Sequence, residues 1–465
     1  MRWILVYFIL IGLISAELNI PDLLKNEKFK GPGVKSRLSP KGVSYVSSFL
    51  ARGLITELVT VSINTVPVKV STTSGDLLVN DMILGIHNAP ESIETELISP
   101  DIVRLHVKTL NISSKVILGG AFQGNVLMSA PATQAHLDIA MLKTFQGAPN
   151  LKVKSCKVVQ KIPITVAMPE GPVKKSLVQQ SADLLQSLLC SRVEFIIEER
   201  INARFGLLNP KVPLANIKDD VIVNDLISRM RLIRRQRFNV TRAESLALDY
   251  TILKDIKVSP IGLEIENFGE VSFRGRGGTP FGPVPVNLPK NGHPETMLQM
   301  VISDFVPNSL MYHGHTIGLF NTRVDPTTPH FGPLMKTTCS LSSGTFFCLG
   351  DIFPTLKRLY PNQKLTLMFN TVQSPVIRFQ SHAAGGIKFT LLGNIAISVL
   401  DKDTNKEMHA ATMSIDVDST MKLRLTSSTV KVMDRALLLQ TNFVLNERLL
   451  RQLTAADLRK RVIRA

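Results

Sequence analysis

The sequence predicts an α+β protein in which meandering antiparallel sheets pack on long amphipathic helices, arranged in two halves. Three observations carry that reading. Period-two apolar alternation runs from about residue 61 to 163 and returns from 364 to about 439. Two stretches instead keep apolar residues at three- and four-residue steps. A Pro/Gly-rich stretch, GGTPFGPVPVNLPKNGHP, separates two halves that each run from helix into strands, with no sequence repeat between them.

The chain starts MRWILVYFILIGLISA: a cationic Arg2, an apolar run from Ile4 to Leu13, then small residues. That pattern predicts a secretory leader over residues 1–16, cleaved after Ala16. The run is too short for a spanning helix, and no later segment reaches the roughly 18 apolar residues one needs.

In GPGVKSRLSPKGVSYVSSFLARGLITELVTV, Ser39 is a candidate N-cap and Pro40 suits a first helical turn. Val43, Val46, Leu50, Leu54 and Leu58 follow at helical spacing. The segments VSINTVPVKV, DIVRLHVKTL, KVILGGAF, NVLMSA, AHLDIAMLKTF and LKVKSCKVV then read as strands. In AHLDIAML, Leu137, Ile139 and Met141 share one face, and His136 and Asp138 the other. A second long helix is predicted from about Val173 to Phe205, with a stripe of Leu177, Leu184, Leu188, Val193, Ile196, Ile197 and Ile201.

Residues 209–245 break the pattern with SRMRLIRRQRFNVTR, which crowds Arg229, Arg231, Arg234, Arg235, Arg237 and Arg242 together. Such a run reads as a solvated insertion, an anion-binding loop or a processing site after Arg237. Asn239 lies beside it in a glycosylation sequon, as does Asn111 earlier. Strand alternation resumes in LALDYTILKDIKVSPIGLEIENFGEVSFRGRG and leads into the Pro/Gly-rich stretch, read as an extended linker. The second half predicts a helix (ETMLQMVISDFVPNSLMYH), strands, a helix (DIFPTLKRLYP), and strands in KLTLMFNTV, VIRFQ, GIKFTLLGNIAISVLD and TMKLRLTSSTVKVM. A basic tail, NERLLRQLTAADLRKRVIRA, suits one last amphipathic helix.

The formal charge of +17 favours anionic partners such as lipid head groups or acidic glycans. An exported address disfavours nucleic acid. So do aromatics at 6% and a single tryptophan, Trp3, inside the leader. Four cysteines, Cys156, Cys190, Cys339 and Cys348, suggest two disulfides in an oxidising compartment. Nearest-neighbour pairing is one of three possible connectivities, and it would staple the second long helix to the sheet. His313-Gly-His315 has no nearby third ligand, so no metal and no cofactor is expected. The nucleophile elbow G-x-S-x-G, the zinc motif HExxH and a Gly-rich phosphate loop are all missing, so no catalytic residue is assigned.

Four stretches together resemble the family that includes bactericidal/permeability-increasing protein and lipopolysaccharide-binding protein: GPGVKSRLSPKGVSYV, the pair Cys156 and Cys190, HPETMLQMVISDFVPNSLMYHGHTIGLF and FFCLGDIFPTLKRLYPNQKLTLMF. Each is weak alone; their order and spacing carry the resemblance over most of residues 30–440. It implies two barrel-like domains, each a twisted antiparallel sheet wrapped around long helices, joined by a central sheet in an elongated boomerang. On that plan residues 17–250 form the first barrel with the insertion 209–245, 251–296 the central-sheet strands and linker, and 297–465 the second barrel.

The resemblance further implies apolar pockets for acyl chains, binding of lipopolysaccharide or transfer of phospholipid, and peripheral contact with membranes or lipid particles. Candidate pocket walls are Val46, Leu50, Leu54, Leu184, Leu188 and Ile196, each equally at home in an ordinary core. Candidate head-group ligands are Lys28, Lys30, Lys35, Arg37, Arg234, Arg235 and Arg237, which suit a solvated face as well. The chain departs from the family pattern in its longer Arg-rich insertion, in the local pair Cys339 and Cys348, and in a short C-terminus.

Overall fold

The computed structural model describes residues 24, 30–60, 68–72, 75–86, 92–120, 122–214, 243, 245–291, 295–339, 348–384, 386–401, 406–425 and 430–445. The leader, Lys28, the arginines at 229–242, Asn239 and the basic tail lie outside these residues.

Strand β1 (Val34–Leu38) runs into helix α1 (Pro40–Thr60). The Ser39 hydroxyl accepts the Gly42 amide at 3.2 Å, which fulfils the N-cap expectation. Strands β2 (Val68–Thr72), β3 (Gly75–Ile86), β4 (Ser92–Ile98), β5 (Ile102–Gly120), β6 (Gly124–Lys143), β7 (Pro149–Gln160) and β8 (Thr165–Ala167) make one antiparallel sheet. Its order is β2-β3-β5-β6-β7, with β4 on β5 and β8 on β6. The long β5–β6 pair slips register near Leu110, where Thr109 and Ala132 both adopt positive φ. Such bulges bend and twist a ladder, curling the sheet so that one face closes on the helices.

Helix α2 (Pro172–Phe195) continues through a π-helical turn (Ile196–Ile201) into α3 (Asn202–Gly206). Its stripe is wider than the spacing suggests: Leu185 and Leu189 are buried beside Leu184 and Leu188. Cys190 is bonded to Cys156 on β7, and Cys339 to Cys348, so the nearest-neighbour connectivity is the one formed. The π turn also ties the helix to β7. Glu198 accepts the Val153 amide at 2.9 Å, and Asn202 exchanges hydrogen bonds with the backbone of Leu151 at 2.8 and 2.7 Å. These side chains satisfy backbone groups that an edge strand would otherwise present to another chain.

Beyond β9 (Lys211–Pro213) come β10 (Leu246–Asp249), β11 (Lys257–Ser259), β12 (Gly262–Asn267) and β13 (Glu270–Phe273). The segment Leu298–Ile302 forms β14, not the first turns of a helix. ETMLQMVISDF satisfies a three-four spacing and a two-residue alternation equally, and the open edge of β1 decides between them. Pairing runs from Val34 with Ile302 to Leu38 with Leu298. The helix begins only at α4 (Phe305–Thr316), where the Ser303 hydroxyl accepts the Phe305 amide. The resulting central sheet, ordered β11-β12-β1-β14, joins strands from both halves of the chain.

The second half contains β15 (Thr322–Val324), short helices α5 (Leu349–Ile352) and α6 (Pro354–Leu359), β16 (Lys364–Thr371), β17 (Val376–Phe379), β18 (Ile387–Leu400), β19 (Glu407–Leu425) and β20 (Val430–Leu445). They form a six-stranded antiparallel sheet with its own core around Leu356, Leu365, Ile397 and Val399. The architecture is therefore the predicted α+β one: curled antiparallel sheets, long helices on the first of them, and a sheet shared between the halves.

Candidate functional site: a lysine-rimmed apolar cavity beside the central sheet

The GPGV motif sets this site. A Cβ on Gly33 would lie 2.4 Å from the Phe268 carbonyl oxygen, so only glycine lets the two backbones meet there. The Gly33 amide donates to that oxygen at 2.8 Å. The turn after Phe268 places Gly269 at φ 77°, a conformation suited to glycine, and brings Glu270 inward. Around this junction lies a cavity of about 530 Å³, within the range of roughly 300–1,000 Å³ common for small-molecule pockets.

The cavity wall is aromatic. Phe305 from α4 stands 6.0 Å, ring centre to ring centre, from both Phe268 and Phe281, and Phe281 meets Tyr312 edge-on at 5.9 Å. Leu253, Pro32 and Pro283 extend this surface. Phe281 belongs to the Pro/Gly-rich stretch, so that part of the expected linker is packed structure. The rim is charged: Lys30 is exposed, and Lys254 reaches over to Glu266 at 3.2 Å. Burial pushes the Glu266 carboxyl up, yet Lys35 and Lys254 outweigh it and hold the group below the usual range.

Glu270 is the buried anion of the site. Its Oε1 accepts the Gly278 amide at 3.1 Å, the Thr279 amide at 3.0 Å and the Thr279 hydroxyl at 2.9 Å. Burial again raises the carboxyl, while the adjoining His313 and these donors lower it further, so it stays ionised. His313 Nε2 stands 3.9 Å from Oε1, beyond hydrogen-bond reach. Its neighbour His315 turns elsewhere, to the Thr371 hydroxyl, so the two histidines do not converge. Among the described residues Cys339, Cys348 and Asp351 do cluster, but both sulfurs are tied in a disulfide and offer no thiolate.

The structure distributes the sequence candidates unequally. Lys30 sits on the cavity rim. Lys35 is paired with Glu266 at 3.1 Å. Arg37 is buried: its guanidinium serves Glu264, Gln299 and the Pro289 carbonyl inside the central sheet, which leaves it no donor face for a head group. Leu184, Leu188 and Ile196 lie in the first core, with Leu54 packed against it. Val46 and Leu50 face outward with Tyr45 and Phe49, because Val43, Ser47, Ala51 and Leu58 take the inner face of α1. Asn111 is exposed, as a sequon requires.

Sequence reasoning missed Phe268, Phe281, Phe305, Lys254, Glu266 and Glu270. The available signal was Phe281 embedded in Pro and Gly, and two glutamates flanking Asn-Phe-Gly.

The cavity beside the shared central sheet thus pairs an apolar wall with a charged rim, a combination that suits an amphiphilic ligand. Residues 241–451 match the family profile described as LBP / BPI / CETP family, C-terminal domain. Over those residues, a little under half of its length, the chain is similar to that family. No curated protein sequence matches the chain. Among solved structures, lipopolysaccharide binding protein is similar at 14% identity and TM-score 0.46, over 90% of this chain and 84% of that one. Epiphyas postvittana Takeout 1 aligns at 10% identity and TM-score 0.26, over 36% of this chain and 91% of its own. P47 of Clostridium botulinum E1 aligns at 7% identity and TM-score 0.20, over 90% and 84%.

Proposed function

We propose that this protein is a secreted lipid binder, not an enzyme, that captures bacterial lipopolysaccharide or phospholipid in extracellular defence. The observation that carries the reading is the cavity: a Phe268, Phe281 and Phe305 wall for an acyl chain, with Lys30 and Lys254 at the rim for a phosphate. Each methylene buried against such a wall contributes about 0.8 kcal/mol. Lysine donors to phosphate form charge-assisted hydrogen bonds. The Tyr45, Val46, Phe49 and Leu50 strip on α1 offers further apolar surface to a second chain. Secretion is supported by the leader-like first residues and by two disulfides, which persist in oxidising compartments. The charge of +17 supports an anionic ligand.

A second reading, transport of zwitterionic lipid, is favoured by one detail. Glu266 stands between Lys35 and Lys254, so the rim presents both signs, as a phosphocholine head group does.

Native mass spectrometry of the secreted protein, followed by organic extraction, tests the proposal. Co-purifying phospholipid or uptake of labelled lipopolysaccharide is the expected result. A lipid-free protein that takes up neither lipopolysaccharide nor phosphatidylcholine would overturn it.

A further inference from the structure

The reversal between β6 and β7 is a tightly bonded turn. The Gly147 amide donates to the Thr144 carbonyl at 3.0 Å, and the Thr144 amide to the Ala148 carbonyl at 2.8 Å. This geometry holds Phe145 at the apex, fully exposed at 103%. The base of the turn is packed: the Ile252 amide donates to the Gly147 carbonyl at 2.9 Å, and a Cβ on Gly147 would collide with Thr251. On its other side the same 250–252 segment grips the loop after α3. The Tyr250 amide donates to the Pro210 carbonyl at 2.9 Å, and its hydroxyl to the Asn209 carbonyl at 3.2 Å. That loop exposes Leu207 at 85% and Leu208 at 50%.

Three segments thus meet at one corner and present large apolar side chains on fixed backbone. A single exposed leucine means little. A phenylalanine on a turn apex, two adjacent leucines and a half-exposed Tyr250 at one corner are a different matter. Their shape argues for the occupant: separate convex tips suit a fluid interface, whereas a protein partner needs a broad, complementary patch. Lys143, Arg204 and Lys254 flank the tips; Arg204 is paired with Glu57 and Lys254 with Glu266, each at 3.2 Å, and Asp255 accepts the Lys143 amide. Three residues beyond Tyr250 the chain becomes cavity wall, at Leu253 and Lys254.

We infer that this corner docks the protein on a lipid surface, with Phe145, Leu207 and Leu208 entering the interfacial layer and the cavity rim brought to the head groups. The inference rests on the lipid-binding reading and adds where the surface is met.

Flotation of the full secreted chain with vesicles tests it, using phosphatidylcholine alone and phosphatidylcholine with phosphatidylglycerol. The triple variant F145S/L207S/L208S should partition at least about tenfold less. Its uptake of a short-chain phosphatidylcholine, below the micelle-forming concentration, should be unchanged. Because Trp3 is the only native tryptophan, Phe145→Trp supplies a reporter whose emission should shift to the blue on vesicles. Vesicle binding equal in the wild type and the triple variant would overturn the inference, as would a wild type that floats with neither vesicle. So would a wild-type dimer that the variant converts to monomer. A protein that floats through this corner yet takes up no short-chain lipid would sink the cavity reading and leave the docking site standing.

Discussion

Arg37 and Glu264 form a clamp in the central sheet: Nε and Nη2 of the arginine reach the same carboxylate oxygen, at 2.9 and 2.5 Å. Nη1 adds the Pro289 carbonyl at 2.7 Å and the Gln299 side chain at 3.2 Å. One side chain therefore binds β12, β14 and the stretch between the halves. Removing one partner of a buried ion pair costs about 3–5 kcal/mol; with Glu264 about a third exposed, Arg37→Ala should cost about 2–3 kcal/mol. Urea unfolding measures this, and lipid uptake by the surviving folded protein should be normal. Normal stability with lost binding would return Arg37 to the head-group role.

The Cys156–Cys190 bridge closes 34 residues between β7 and α2. In the chain-entropy model such a loop contributes about 3–4 kcal/mol. The double variant C156A/C190A should melt well below the wild type. An unchanged melting curve would mean that core packing, with Glu198 and Asn202, holds the helix to β7 without the bridge.

His136 lies opposite His106 across β5 and β6, their Nδ1 atoms 2.5 Å apart. Burial, then the charges of His106 and Arg104, push the His136 imidazolium below its ordinary value of 6.5, although Asp138 opposes them. The unfolded chain therefore binds this proton more readily than the folded one. Its contribution to stability is full above pH 6.5 and declines as pH falls below it. Half-buried His315, whose imidazolium burial also shifts down, acts in the same direction. Thermal melting from pH 7.5 to 5 should show a shallower acid-side loss in His136→Asn than in the wild type.

Gly33→Ala places a methyl group 2.4 Å from the Phe268 carbonyl and against Phe305. Overpacking of this kind costs about 1–3 kcal/mol. It should also slow lipid uptake, because the collision moves the cavity wall. An alanine variant with unchanged stability and uptake would show that the backbones can separate freely.

Reversing the rim with Lys30→Glu and Lys254→Glu should weaken binding of anionic lipid by about tenfold at low salt and less at high salt, where exposed charges are screened. Phosphatidylcholine uptake should change little. Equal losses for both lipids would point to a collapsed cavity instead of a lost charge.

Much of this was legible in the sequence where one local rule had no competitor. Ser39-Pro40 fixes the start of α1, and the long Leu stripe of α2 has no strand-like alternative. The failures share a cause, which is that tertiary partners chose between equal local options. Leu298–Ile302 alternates as well as it spirals, and β1 made it a strand. On α1 the inner face went to Ser47 and Ala51, which leaves Val46 and Leu50 outside. The cavity was hidden because Phe268, Phe281 and Phe305 come from three elements whose meeting no sequence period records.

The position of β1 imposes an order on biosynthesis. It is one of the first strands made, yet it is flanked by β12 and β14, and the side-chain bonds of Arg37 span 227 and 262 residues. At roughly 5–20 residues per second, the nascent strand waits on the order of tens of seconds for its neighbours. Throughout that interval both its hydrogen-bonding edges are open while the first sheet and its helices can already be collapsing. A chaperone that holds Val34–Leu38 would thus act on a seam that closes only once the second half begins to emerge, even though it binds near the front of the chain.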